Sequence, residues 1–121
     1  MQLNLKENII SQAKFFLENM DEFFPFGVVI DNQRKIKPIS AYNGDEYPTS
    51  QSVIKQLEQI IKNGIQNKEY LAGAIGIDIF ITTNDDKKSA IEIREYPSHD
   101  NSISRVPYSK EKGRFLFQDD R

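Results

Sequence analysis

The chain has 121 residues, of which 38% are hydrophobic and 28% are charged, and it contains no cysteine. This composition fits one globular domain, and the lack of thiols excludes disulfides, thiolate metal sites and cysteine nucleophiles. The net charge is −2 and the pI is about 5.4, so the chain lacks the basic excess of nucleic-acid-binding domains and no nucleic-acid partner is expected.

The sequence shows no segment that would direct the chain to a membrane. Its first residues contain no apolar run like that of a signal peptide, and no stretch approaches the about 18 apolar residues that span a bilayer. No Asn-x-Ser/Thr glycosylation sequence occurs either. We therefore expect a prokaryotic cytoplasmic protein without a membrane partner, with a single domain over residues 1–121.

The first third of the chain predicts a helix followed by a hairpin. Apolar residues recur every three or four positions over residues 4–22, as in an amphipathic helix, and Asn4 is placed to cap its first turn. Residues 23–42 alternate around a polar turn at 31–33 and predict two antiparallel strands. Pro38 lacks an N–H group, which favours a sheet edge or a bulge for the second strand.

A second helix and four strands follow. Residues 51–66 again carry an apolar stripe at helical spacing. Residues 71–83 predict the clearest strand, with four isoleucines on one face and small or polar side chains on the other. Glycines at 73 and 76 indicate that another group approaches this strand closely. Residues 89–96, 103–108 and 114–117 predict the remaining strands, and residues 118–121 a frayed tail.

The predicted element order is α-β-β-α-β-β-β-β. Runs of adjacent antiparallel strands with two helices favour an α+β fold of two layers, with a mostly antiparallel sheet and both helices packed on one face. Roadblock and profilin-like domains begin with a similar order, an analogy of topology that does not fix a function. We expect the isoleucine face to be buried and the opposite face to be solvated.

Polar side chains on the strands form the first candidate site. Asp78 interrupts an apolar strand, and we expect Glu92, Arg94 and Tyr96 of the next strand to lie on the same face. Arg105 could add a second cation, although the pattern does not set its face. Such residues usually form solvated ion pairs worth about 0.2–1 kcal/mol each. Alternatively this face binds a partner or a ligand, since small residues beside an aromatic ring and a few charges suit either.

Two further features are candidates for binding. Asp45 and Glu46 stand together before the second helix, where the helix dipole favours acids and where a cation or a partner could be held. Tyr108 follows Pro107 near an expected sheet edge, a position that suits an interface residue or a cover for the core. His99 is the only histidine and is expected to be a solvated loop residue.

No known catalytic motif occurs in the chain. Glycine-rich phosphate loops, HExxH and GxSxG are all missing, and one histidine without cysteine is a poor basis for zinc. We therefore expect neither a metal site nor a cofactor. An enzyme built on this chain would have to use acids alone, converging within a few ångströms in a concave site. The acids in question are Asp45, Glu46, Asp78 and Glu92.

Several segments form a recognisable pattern. They are Phe24-Pro25-Phe26-Gly27, Asp31 with Lys35-Ile36 and Pro38, Tyr42-x-Gly44-Asp45-Glu46-x-Pro48-x-Ser50, Ala90-Ile91-Glu92-Ile93-Arg94-Glu95 and Val106-Pro107-Tyr108. The pattern resembles a small bacterial domain family without an assigned activity and covers most of residues 23–117. The resemblance implies a cytoplasmic bacterial domain, of a kind that often serves as an accessory or immunity-type protein. It implies no catalytic residue.

These observations favour a non-enzymatic module that binds a protein partner. One alternative is an enzyme that uses carboxylates with a metal or a small molecule. Another is a homodimeric scaffold of roadblock type, pairing through an edge strand or a helix. The candidate binding residues are Asp45, Glu46, Asp78, Glu92, Arg94, Tyr96, Arg105 and Tyr108.

Overall fold

A computed structural model describes residues 4–20, 23–40, 50–83, 86–98, 102–111 and 114–117. Its helices are α1 (Leu5–Met20) and α2 (Ser50–Gln66), and its strands are β1 (Phe26–Asp31), β2 (Ile36–Ile39), β3 (Tyr70–Thr83), β4 (Asp86–Tyr96), β5 (Ile103–Glu111) and β6 (Arg114–Phe117). The α+β class and the element order are confirmed. β4 begins at Asp86 rather than at residue 89, and β5 continues to Glu111 rather than ending at residue 108.

All six strands form one antiparallel sheet in the order β2-β1-β3-β4-β5-β6. From β3 to β6 each strand pairs with the next strand along the chain, and β1 pairs with the free side of β3. Directly opposite residues in neighbouring strands point to the same face of a sheet. The register therefore assigns every strand residue to one of two faces.

Helix α1 covers one of these faces, called the α1 face below. Its apolar stripe packs on alternate residues of five strands, namely Val28, Ala74, Ile91, Ile93, Val106 and Phe115. A Cβ at Gly76 would lie 2.8 Å from Cγ2 of Ile9, so the glycine allows the close approach of the helix, as predicted. The predicted cap is also present, because Oδ1 of Asn4 accepts a hydrogen bond from the N–H of Glu7 at 3.1 Å.

Helix α2 packs on the opposite face, called the α2 face below. Its Leu57 and Ile61 are buried with Val29, Ile75 and Ile77, which alternate with the residues beneath α1. A Cβ at Gly73 would lie 2.7 Å from Cγ2 of Ile61. The expectation that both helices share one face is therefore wrong. The sheet lies between the helices, and each of its faces is buried where a helix crosses it.

A carboxylate shapes the hairpin of β1 and β2. Oδ1 of Asp31 accepts hydrogen bonds from the N–H groups of Gln33, at 2.8 Å, and Lys35, at 2.9 Å. Its Oδ2 lies 2.9 Å from Nζ of Lys37. Pro38 lies in β2, which is an outer strand of the sheet, so the predicted edge position is confirmed.

Pro107 does not mark an edge. β5 pairs with β4 on one side and with β6 on the other, and Pro107 stands opposite Ala90. Tyr108 pairs with Phe117 of β6 and is half-buried. The expectation that this segment lies near an edge is wrong, and Tyr108 belongs to an inner strand.

Candidate functional site

A buried carboxylate binds two arginines on the α2 face of β4 and β5. Oε2 of Glu92 lies 2.9 Å from Nε of Arg94, and its Oε1 lies 3.1 Å from Nε and 3.0 Å from Nη2 of Arg105. The side chain of Glu92 is 8% exposed, whereas those of Arg94 and Arg105 are 34% and 58% exposed. A carboxylate this buried is costly unless it is paired, and the two arginines supply that pairing while they remain in contact with solvent.

A second acid lies beside this cluster, on helix α2. The hydroxyl of Tyr96 donates a hydrogen bond to Oε2 of Glu58 at 2.5 Å, and Nζ of Lys62 lies 3.4 Å from Oε1. The hydrogen bond from Tyr96, helped by the charges of Lys62 and Arg94, lowers the pKa of Glu58. Burial, together with the bond to Glu58, raises the pKa of Tyr96 above its usual range. The phenol is therefore a fixed donor and the carboxylate a fixed acceptor.

These side chains form a continuous charge network, which consists of Lys62, Glu58, Tyr96, Arg94, Glu92 and Arg105. Arg94 joins its two halves, because its guanidinium binds Glu92 and its charge also acts on Glu58. The network has three cations and two carboxylates, an excess of positive charge in a chain whose net charge is −2. Guanidinium groups held in place are suited to binding carboxylate or phosphate oxygens through paired hydrogen bonds.

The charge network borders a part of the sheet that no described helix covers. Helix α2 packs on β1 and β3, and on the same face of β5 and β6 two apolar side chains are exposed. Ile103, which is opposite Arg94, is 59% exposed, and Leu116 is 48% exposed. Lys88 and Arg105 lie on this face as well. We call this region the open sheet surface, defined by Lys88, Arg94, Ile103, Arg105 and Leu116.

Asp78 and Tyr108 meet on the α1 face. The hydroxyl of Tyr108 donates a hydrogen bond to Oδ1 of Asp78 at 2.6 Å, across the intervening strand β4. Burial and then this bond raise the pKa of Tyr108 above its usual range. The pair is therefore a second fixed donor and acceptor, separated from the charge network by the sheet itself.

The expected grouping of the strand residues is wrong in one respect. Asp78 pairs in register with Ile91 and so lies on the α1 face. Glu92, Arg94 and Tyr96 point to the α2 face, because they pair with residues that alternate with Asp78 along β3. The single polar face expected from the sequence is thus two different sites on opposite sides of the sheet.

The eight predicted binding residues fall into three groups. Glu92, Arg94, Tyr96 and Arg105 belong to the charge network; Asp78 and Tyr108 form the pair on the α1 face; Asp45 and Glu46 lie outside the described residues, as does His99. The structure therefore brings together four residues that the sequence singled out, and it settles the face of Arg105, which the sequence left open.

The acids needed by a carboxylate enzyme do not converge where the structure describes them. Asp78 and Glu92 lie on opposite faces, and each is already bound by other side chains of the sheet. Within the described ranges there is no group of three or more side chains of the types that could hold a metal ion. The described acids thus offer no shared point at which a substrate or a metal could be held.

No family model, curated protein or solved structure matches this chain. Among the described residues, no helix is long and apolar enough to cross a membrane. The function is therefore inferred from the contacts of the site itself.

Sequence reasoning missed Glu58 and Lys62. They are four residues apart on α2, a spacing that predicts an ion pair along a helix. The spacing could not show that Tyr96, 38 residues further along the chain, donates to Glu58. That contact depends on which face of the sheet α2 covers, which the sequence pattern did not establish.

Proposed function

We propose that this protein is a cytoplasmic, non-enzymatic module that binds an acidic partner protein through the charge network and the open sheet surface. The observation that carries the proposal is the pair of arginines held side by side by the buried carboxylate of Glu92. An accessory or immunity-type module, which acts by covering a surface of its partner, needs no chemistry beyond this.

The arginines are pre-organised for binding. Arginine normally loses considerable side-chain freedom when it forms a contact, which subtracts from affinity. Here Arg94 and Arg105 are already fixed by ion pairs of 2.9–3.1 Å, while 34% and 58% of their side chains remain exposed. A partner carboxylate could therefore bind them at a smaller entropic cost than it would bind free surface arginines.

The composition of the open sheet surface suits a protein interface. Arg94 lies opposite the exposed Ile103, and the exposed Leu116 lies further along the same face, opposite Ser109. Interface centres are enriched in arginine and in apolar groups and depleted in acids. The excess positive charge of the network favours a partner that presents carboxylates to this surface.

The position of the acids supports a binding role over catalysis. Glu92 and Glu58 are each occupied in holding a cation or a phenol, and Asp78 accepts the hydroxyl of Tyr108 on the other face. Each of these acids fixes the position of an arginine or a tyrosine side chain. Donors held in fixed positions are suited to recognition of a partner.

The test is affinity capture from a lysate of the source cells, followed by measurement of binding to the purified captured protein. Wild type is compared with Arg105→Gln, which removes the charge, and with Arg105→Lys, which keeps it without the forked geometry. We expect Arg105→Gln to weaken binding by about tenfold or more, equal to about 1.4 kcal/mol, and Arg105→Lys to weaken it less. Affinity should also fall with rising salt.

The matched control is Lys14→Gln, an exposed cation on α1, on the other side of the sheet. This variant should bind the partner as wild type does. Equal binding by wild type and Arg105→Gln would contradict the proposal, as would a partner whose contact surface is basic. Capture of a second copy of the chain alone, together with a dimer in light scattering, would favour the homodimer alternative.

A further inference from the structure

The sheet opens between β4 and β5 at one end. Pairing between these strands runs from Arg94 opposite Ile103 to Ser89 opposite Tyr108, and it stops there. Beyond that point β4 continues paired with β3 as far as Asp86, and β5 continues paired with β6 as far as Glu111. The hairpins β3–β4 and β5–β6 therefore diverge, and we call the gap between them the fork.

A cleft of about 530 Å³ occupies the fork. Its lining residues come from the diverging ends of β4 and β5 and from the end of β6: Lys87, Lys88, Ser89, Pro107, Tyr108, Ser109, Leu116 and Phe117. Consecutive residues of a strand point to opposite faces, so the cleft passes between the strands and is walled on both sides of the sheet. Its volume lies within the range of about 300–1,000 Å³ that is usual for small-ligand sites.

The walls of the cleft combine cationic, hydroxyl and apolar groups. Lys87 and Lys88 contribute ammonium groups from consecutive positions, and Ser109 contributes a hydroxyl, whereas the hydroxyl of Ser89 is hydrogen-bonded to Tyr108. Where the ladder has opened, the backbone N–H and C=O groups of the fork no longer pair across it, and they add further donors and acceptors. The described lining residues include no carboxylate, and the Asp78 carboxylate, which does not line the cleft, accepts the hydroxyl of Tyr108.

The apolar wall is held rigidly. The ring of Tyr108 is fixed by the hydrogen bond of its hydroxyl to Asp78, at 2.6 Å, and it packs against Phe117 with ring centres 5.7 Å apart. Nζ of Lys87 lies 4.3 Å from the centre of the ring of Phe80 on β3, so a bound anion competes with this ring for the ammonium group. A flat apolar body can therefore pack on the aromatic wall while its charged end reaches the lysines.

We propose that the fork binds a small organic anion: a carboxylate or phosphate carried on an aromatic body of one or two rings. The ligand lies in the gap between the strands: Tyr108 and Phe117 on one face and Leu116 on the other contact the rings, and Lys87 and Lys88 reach the anionic group from the two faces. The site does not depend on the charge network, because none of the network residues lines the cleft. Asp78 has a positioning role in this site, because its hydrogen bond with the Tyr108 hydroxyl fixes the orientation of the tyrosine ring.

The test is a titration of the isotope-labelled full chain followed by amide proton–nitrogen NMR spectra. The probe is naphthylacetate, with neutral naphthylacetamide and ring-free acetate as matched compounds. We expect naphthylacetate to shift the amide signals of Lys87, Lys88, Ser89, Ser109 and Phe117 in a saturable manner. The amide and acetate should bind at least about tenfold more weakly, because each lacks one of the two recognised parts.

The double variant Lys87→Gln/Lys88→Gln should weaken naphthylacetate binding by about tenfold, because it removes both cations that bind the carboxylate. Its spectrum away from the fork should stay unchanged, which shows that the variant is folded. Lys14→Gln and Arg105→Gln should both bind the probe as wild type does, which separates this site from the charge network, although Lys88 and Leu116 belong to both the cleft and the open sheet surface. Equal binding of naphthylacetamide, undiminished binding by the double lysine variant, or no saturable shift at the fork would overturn the proposal.

Discussion

The ion pairs of Glu92 predict an unequal response when one or the other side of the cluster is removed. The carboxylate is 8% exposed, whereas the arginines are 34% and 58% exposed. A charge that is left alone in a buried position pays the full cost of lost hydration, but an exposed arginine can be rehydrated. Removing both arginines should therefore destabilise the fold more than removing the acid.

The contacts give the expected sizes of these effects. Arg105→Gln removes two contacts to Oε1 of Glu92 while Arg94 still holds Oε2, so we expect a loss of about 1–2 kcal/mol in the free energy of unfolding. The double variant Arg94→Gln/Arg105→Gln leaves the buried carboxylate without a cation and should lose about 3 kcal/mol. Glu92→Gln leaves two hydrated arginines and should lose only about 1 kcal/mol.

Urea unfolding followed by circular dichroism measures these differences at constant pH and salt. The decisive variant combines Glu92→Gln with the two arginine substitutions, because it removes the stranded charge. We expect it to recover about 2 kcal/mol relative to the double arginine variant, a non-additive result that independent sites would not give. If the triple variant is as unstable as the double variant, or if Glu92→Gln is the most damaging change, the burial argument is refuted.

Two further predictions concern the α1 face. Gly76→Ala would place a Cβ 2.9 Å from the ring of Phe26 in the packed centre, and it should lower stability by about 1–3 kcal/mol in urea unfolding. A Cβ at Gly27 would lie 2.9 Å from Cγ1 of Ile39, a half-buried side chain of the edge strand β2, so Gly27→Ala should cost less; equal losses would contradict this reasoning. Asp78→Asn removes one of the causes that raise the pKa of Tyr108, so the phenol should ionise at lower pH in an absorbance titration. The free energy of unfolding that Tyr108 contributes is fully present below its unfolded pKa of 10.0 and is lost as the pH rises further. Asp78→Asn should therefore show a smaller loss of stability at high pH than wild type. An unchanged tyrosine titration in the variant would contradict the contact.

The local elements could be predicted because each follows from short-range pattern. The isoleucines of β3 alternate, and the apolar stripes of both helices recur every three or four residues. Pro38 marked an outer strand because a missing N–H is tolerated best where no neighbour needs it. These features depend on residues close in sequence, so no knowledge of the tertiary fold was required.

The face of each strand could not be predicted as reliably, because it depends on register. Thr83 pairs with Asp86, so the odd-numbered residues of β3 face the even-numbered residues of β4. A turn longer by one residue would have moved every side chain of β4 to the other face. The prediction assigned residues 84–88 to the turn and therefore placed Asp78 on the same face as Glu92, whereas the two residues lie on opposite faces.

The glycines of β3 indicate that the helices lie on opposite faces of the sheet, which the alternation of apolar residues does not show. Gly73 and Gly76 are three residues apart, so they must lie on opposite faces of β3, and each makes room for a different helix. Two closely approached glycines at an odd spacing thus indicate helices on both faces. The Glu58 contact of the charge network follows from that arrangement and could not be predicted without it.

The burial of α1 has a consequence for how the domain folds while the chain is being translated. Its stripe packs against residues of β1, β3, β4 and β5 and finally against Phe115 of β6. A ribosome releases the helix first and β6 nearly a hundred residues later, so the apolar side of α1 stays without its complete partner until translation of the domain is almost finished. During that interval the nascent chain exposes an apolar helix face that the finished domain buries.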